Sequence, residues 1–151
     1  MYNENIALPE KLAHLLSDVV TASFIAQGYH WNVKGIEFTQ FHDFFAAIYS
    51  DTASAIDPLA ENIRKLGFDA PYFLQDFQDM ACVSEIRIED GDALKMVRSL
   101  DRINDSLLGC YTGAFAEASA ANEQGIADFL AGRIDMHHKW SWQLKATLGI
   151  R

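Results

Sequence analysis

Four side chains in the first half of the chain could together hold a transition metal: His30, His42, Asp57 and Glu61. Imidazole and carboxylate suit ferrous iron, manganese or zinc, and so small a ligand set leaves coordination positions for water or an oxidant. Their spacing limits how they can meet. On one continuous helix the step from His42 to Asp57 is about 22 Å along the axis, at about 1.5 Å per residue. Within one chain they reach a common ion only where that helix breaks. Asp57 and Glu61, one turn apart, share a helix face.

On a helical wheel of about 100° per residue, Phe41 and Leu59 centre the core stripe of this segment. A second face, made of His42, Ala46, Tyr49, Ala53, Ile56, Asp57 and Ala60, lies roughly 60–160° around from it. This face is small or apolar, with the ligand types towards its ends, a pattern that suits a subunit contact better than a solvated surface. In an antiparallel pair of identical helices, His42 of one copy would meet Asp57 and Glu61 of the other. A two-fold axis would make two such sites per dimer. A plainer account of the same residues stands beside this one. Lone histidines are more often structural or exposed than metal ligands, and an Asp–Glu pair one turn apart is common on solvated helices.

The elements that must position these residues are helical nearly throughout, because periodicity dominates and turn signals are sparse. A first helix is expected over residues 8–33, with Leu12, Leu16, Val19, Ser23 and Ala26 on one stripe and His30 on its continuation. A second runs over 37–66, stops at Gly67 as a C-cap, and buries Phe38, Phe41, Phe45, Ile48, Ala55, Leu59, Ile63 and Leu66. Residues 67–90 form the one long connection, in which Pro71 and the following YFLQDFQDM read as a short extra helix. The third helix starts near Asp90 with Leu94, Val97, Leu100, Ile103, Leu107, Tyr111, Ala114 and Ala118 inward. The fourth opens at Gly125 and carries Ile126, Phe129, Leu130, Ile134, His137, Trp140, Leu144 and Leu148. His137 lies on that apolar stripe and reads as a satisfied core histidine. Four amphipathic helices pack as a bundle, and a single long link between the second and third is the topology of ferritin-like folds.

Composition agrees with a single all-α domain over 1–151. The chain has 151 residues, half of them hydrophobic, enough for one real core and too few for two. No apolar run approaches the roughly 20 residues that span a bilayer. The start, MYNENIALPEKL, does not read as a secretory leader. Cys82 and Cys110 have no metal-type spacing, and together these features favour the cytoplasm. The net charge of −9 and pI near 4.8 attract cations and repel phosphate backbones. Direct DNA binding is therefore disfavoured: near the N-terminus Lys11 is balanced by Glu4 and Glu10, and Ile150-Arg151 ends the chain without a basic tail.

The stretch HWNVKGIEFTQFHDFFAAIYSDTASAIDPLAENIRKLG, residues 30–67, resembles the signature of the Dps (miniferritin) family of DNA-binding proteins from starved cells. There His-Trp-Asn-x-x-Gly precedes a second His, then Asp and Glu four apart. ADFLAGRIDMHHKWSWQLKATL, residues 127–148, resembles that family's last helix, with Gly132-Arg133, His137 and Trp142 in familiar places. The resemblance implies a ferroxidase of the kind that oxidises metal ions (EC 1.16). It would oxidise ferrous iron with hydrogen peroxide, or more slowly with dioxygen, and store the ferric product, protecting against oxidative damage. His30 and His42 would come from one subunit and Asp57 and Glu61 from its two-fold partner. Trp31 is similar to the family's aromatic that can give up an electron, its other role being interface packing. A homododecamer with acidic three-fold pores is implied, and Glu123 and Asp128 are the pore candidates, though a solvated helix start also accounts for them.

Three residues depart from the family pattern: Ala46 where an acidic residue is common, Pro58 inside the second helix, and Asn62 where an arginine is common. The first puts a second iron position in doubt, and the second predicts a kink. A ferritin-like shell with weak or no ferroxidase activity, or a DNA-associated stress protein, is the alternative reading. An intrasubunit di-iron site needs two inward Glu-x-x-His pairs. Asp135-x-x-His138 is the nearest match, without a second.

Overall fold

The computed structural model describes residues 7–151. Glu4, and the start of the segment weighed as a leader, lie outside them. Among the described residues there are six helices and no strands: α1 (Leu8–Asn32), α2 (Phe38–Ala53), α3 (Ile56–Lys65), α4 (Leu74–Met80), α5 (Ala93–Ala120) and α6 (Gln124–Thr147). α1 packs on α2 and α3, α5 on α6, and α1 also on α5 and on the short α4. With α2 and α3 counted as one bent member, this is the four-helix bundle with a short helix in the long connection that periodicity leads one to expect.

The segment expected as one helix over 37–66 is two. The break falls at Ser54 and Ala55, and its cause is Pro58. Proline has no N–H to give to the carbonyl four residues back, and its ring crowds that carbonyl, which here belongs to Ser54. The chain tightens locally, with Ala55 N–H bonding to the carbonyl of Thr52 (3.2 Å), and restarts with Leu59 N–H on the carbonyl of Ala55 (3.1 Å). α3 then ends in a Schellman turn. Gly67 has a left-handed φ of 90°, its N–H reaches Arg64 O, and Phe68 N–H reaches Ile63 O.

Three side chains of α1 hold the long connection in place. His14 Nδ1 donates to the carbonyl of Met80 (2.9 Å). Asp18, wholly buried, accepts the N–H groups of Cys82 (2.6 Å) and Val83 (2.8 Å). Tyr29 donates to the carbonyl of Ile86 (2.6 Å) and lies 2.7 Å from the Ser99 hydroxyl on α5. The connection then meets the turn after α1, where Lys34 N–H bonds to Gly91 O (2.9 Å).

The expected stripes are buried or half-buried with two exceptions. Phe38 is 41% exposed because it covers His42 instead of entering the core. Leu94 is 43% exposed, fronting an open groove beside the 34–37 turn. The third long helix, expected to start near Asp90, begins at Ala93. Asp92 caps it by accepting the Lys95 N–H (2.9 Å), and an N-cap residue stands outside the helix it starts.

Candidate metal centre

His30 sits in the last turn of α1 and His42 in the second turn of α2, and the short link of residues 33–37 folds one against the other. Each imidazole is fixed by the other's backbone. His30 Nδ1 donates to the carbonyl of His42 (2.7 Å), and His42 Nδ1 donates to the carbonyl of His30 (2.8 Å). A carbonyl can only accept, so both Nδ1 atoms carry the hydrogen. In the neutral ring the lone pair is then on Nε2. Such a bond to the far nitrogen is the usual way a ligand histidine is oriented and its tautomer fixed.

The two rings stack at 3.7 Å between centroids and 18° between planes. Phe38 stacks on the outer side of His42 at 4.8 Å, and Tyr49 lies against His30 at 5.4 Å. The result is a row of four rings, Phe38, His42, His30 and Tyr49, with both imidazoles half-buried inside it. Trp31 points elsewhere. It is 58% exposed and meets Phe24 edge-on at 6.4 Å.

Asp57 and Glu61 are both exposed on α3, Asp57 in its first turn, where an anion opposes the positive helix end. The chain does not bring them to the histidines. Among the described residues no three His, Cys, Asp or Glu side chains converge as a metal site. Of the second face read from the wheel, His42, Ala46, Tyr49, Ala53, Ile56 and Ala60 are all half-buried and Asp57 is exposed. That face borders an apolar groove of about 530 Å3 lined by Val20, Phe24, Tyr49, Ile56, Leu74 and Phe77, among others. Ala46, one turn after His42 on α2, presents only a methyl. Asn62 is buried at 4% exposure and accepts a hydrogen bond from Lys65 Nζ (3.2 Å).

Sequence reasoning missed a second polar cluster, inside the bundle. Arg133 on α6 forms a two-pronged ion pair with Asp51 on α2, both bonds 2.9 Å. Trp140 Nε1–H donates to the same carboxylate (2.6 Å). Arg133 also donates to His137 Nε2 (3.1 Å), while His137 Nδ1 donates to Asn104 Oδ1 (2.8 Å) and Asn104 Nδ2 donates to the carbonyl of His137 (2.9 Å). Tyr111 stacks on the imidazole at 5.1 Å. His137 is thus the satisfied core histidine expected. Burial, then the Arg133 charge, lowers its pKa to about 3. Burial alone would raise Asp51, but hydrogen bonds from Arg133 and Trp140 outweigh it and hold the carboxyl below its ordinary range. Burial drives the Tyr111 hydroxyl up to about 12. The cluster is occupied by its own cation, Arg133, and is structural. The weak Asp135-x-x-His138 pair is exposed at both ends and does not face the core.

A model of the ferritin-like domain matches residues 9–150. The DNA protection during starvation protein of Porphyromonas gingivalis is 29% identical over 138 residues, covering 89% of this chain and 84% of its own. Antigen TpF1 of Treponema pallidum is 28% identical over 145 residues, covering 94% and 80%. Among solved structures, the Dps protein of Vibrio cholerae is described as a member of a broad superfamily of ferritin-like diiron-carboxylate proteins. It aligns with a TM-score of 0.89 at 27% identity, over 93% of this chain and 88% of that one.

Proposed function

This chain belongs to the ferritin-like family, and we propose that it oxidises ferrous iron at a site completed between two subunits and stores the ferric product, as a protection against oxidative stress. The observation that carries this reading is the reciprocal bonding of His30 and His42. It gives both imidazoles the tautomer whose Nε2 lone pair is left for a metal, with the cost of ordering them already met in the fold. The kinship with starvation-protection and diiron-carboxylate proteins supports the choice of iron and of a protective role.

The iron is substrate and cargo. His30 and His42 bind the ferrous ion, and the carboxylates of Asp57 and Glu61, from the two-fold partner, stabilise the higher charge of the ferric product. Two ferrous ions give one electron each to hydrogen peroxide, the O–O bond breaks, and the ferric ions hydrolyse to an oxyhydroxide with release of protons. Peroxide is thereby kept from free iron. Trp31, next in the chain to His30, is an aromatic able to give up an electron at the site or to pack in the contact. The half-buried face from His42 to Ala60, with its apolar groove, forms the two-fold contact. Higher assembly is a homododecamer, with Glu123 and Asp128 at acidic pores.

No helix of the described residues is long and apolar enough to cross a membrane; the acidic charge supports a protein that does not bind DNA directly, and the iron-protection role goes with a cytoplasmic location. A shell that has lost the chemistry is the second reading, favoured by Ala46 one turn after His42 and by the break at Pro58. Anaerobic ferrous titration of the metal-free protein, followed by a peroxide pulse, separates the two. Saturable binding and fast ferric absorbance in the parent, lost in His42→Ala with Asp57→Ala, support the interface ferroxidase. Oxidation no faster than in buffer leaves only the shell.

A further inference from the structure

We infer that Tyr49 is a redox partner of the iron site and supplies the second reducing equivalent when a single ferrous ion meets peroxide. This rests on the interface reading above. It starts from a count of donors. Two imidazoles and two carboxylates are four protein ligands, enough for one ion with open positions and thin for two. Ala46, one turn after His42, offers no further donor. One ferrous ion gives one electron, whereas cleaving peroxide to the level of water takes two. The missing equivalent then has to come from a second ferrous ion arriving later or from a side chain at hand.

The side chain at hand is Tyr49. Its ring lies 5.4 Å from that of His30, centroid to centroid, and it is half-buried on the face that carries His42 and Ala46. Helical side chains lean towards the N-terminus of their helix, so Tyr49 leans back over the turn in which Ala46 leaves space. Phe38, the other ring in the row, has no oxidisable group at comparable cost. Trp31 is oxidisable, but in this chain its ring contacts Phe24 and is mostly exposed.

The step balances as follows. The O–O bond of peroxide breaks; ferrous iron gives one electron and the Tyr49 phenol gives one hydrogen atom. The products are a ferric ion, hydroxide, water and a tyrosyl radical. The next ferrous ion, with a proton from solvent, returns the radical to tyrosine. A hydroxyl radical is thus never released, and the site completes two-electron chemistry with one ion bound at a time.

The test uses the intact assembly, metal-free, loaded anaerobically with one ferrous ion per protomer and mixed with one equivalent of hydrogen peroxide. Freeze-quenched samples are read by electron paramagnetic resonance in the free-radical region, with ferric absorbance followed in parallel. The expected result is a radical whose signal narrows in protein grown on ring-deuterated tyrosine, disappears in Tyr49→Phe and survives in Trp31→Phe. The phenylalanine variant keeps the ring and its packing, and circular dichroism checks its fold. A signal that persists in Tyr49→Phe, or narrows with deuterated tryptophan instead, overturns the assignment. So does fast ferric absorbance with no radical at all. In those cases the ferroxidase reading stands. Ferric absorbance no faster than in buffer overturns the ferroxidase reading and removes Tyr49's role with it.

Discussion

Removing the Asp51 carboxylate should be among the most damaging single changes in the molecule, because it strands a charge. The Arg133 side chain is 11% exposed and that of Asp51 21%, and the pair ties α2 to α6 across the bundle. Breaking a buried ion pair from one side costs about 3–5 kcal/mol, since the remaining charge stays desolvated. A fifth of the Asp51 side chain still meets water, so the lower end applies, about 3 kcal/mol for the guanidinium. The Trp140 indole loses its acceptor as well, worth about 1 kcal/mol. Asp51→Ala is therefore expected to cost about 3–4 kcal/mol. Replacing both partners, Asp51→Leu with Arg133→Met, removes the stranded charge and should cost clearly less than the single change. Urea unfolding followed by circular dichroism gives both values, at one fixed protomer concentration because assembly adds to apparent stability. Asp51→Ala within about 1 kcal/mol of the parent, the size of one ordinary hydrogen bond, would refute the reasoning, as would a double variant no more stable than the single.

Acid should act through His137. Its pKa falls from 6.5 to about 3 on folding, so between those values the unfolded chain holds a proton that the folded one does not. Stability is complete above the unfolded pKa and declines as pH falls towards 3, by roughly 2 kcal/mol at about pH 5; unfolding curves of the parent and His137→Gln should converge in slope only above about pH 6.5. Gly91 has a φ of 71°, and a Cβ there would stand 2.9 Å from the Asn32 carbonyl. Gly91→Ala should lower stability by about 1–3 kcal/mol and loosen the turn that follows His30, visible as faster amide exchange at Lys34. Asp18→Ala removes the acceptor for two backbone N–H groups of the long connection, a loss of about 1–3 kcal/mol for each one left dry. Proteolysis should then cut the chain within residues 81–90 while leaving the long helices whole, and cleavage equal to the parent's would sink the anchoring role.

The helices were legible because their cause is periodic: apolar residues at helical spacing mark α1, α5 and α6 to within a few residues, and Gly67 marked an end through the left-handed backbone conformation that glycine, unlike other residues, adopts without strain. Pro58 was legible as the cause of a kink but not of its extent, because a proline inside a helix can be absorbed as a bend or can end one helix and begin another. Neighbouring bonds around Ser54 and Ala55 decided the matter. His30 and His42 were legible as types, but not the exchange of hydrogen bonds that fixes their tautomers, since that depends on how tightly residues 33–37 fold. The Asp51–Arg133–His137 cluster was hidden more deeply. A lone Asp on a helix of ordinary composition reads as solvated, and its partner lies 82 positions away. The signal that could have found it is the pairing of two polar residues, Arg133 and His137, on the apolar stripe of one helix. Desolvating both without a counter-charge is too costly, so an acid had to face them.

The same desolvation argument bears on why the candidate iron site is split. A ligand set of two imidazoles and two carboxylates assembled inside one chain would take both carboxylates of α3 out of water, and the fold would have to carry that desolvation. Within one chain the two halves lie apart. The histidines, neutral and satisfied through Nδ1, are held in the row of rings, and Asp57 and Glu61 stay in water on α3. If Asp57 and Glu61 serve a neighbouring subunit's site, the break at Ser54 and Ala55 lets α3 set the direction of its carboxylates independently of the α2 helix that carries His42. Pro58→Ala should let the two helices merge and rotate that face. If the carboxylates belong to a neighbouring subunit's site, ferrous affinity should fall while the tautomers of His30 and His42, read by nitrogen NMR of the imidazoles, stay as they are. A variant whose affinity is unchanged although the break has closed would show that the kink has no part in positioning Asp57 and Glu61.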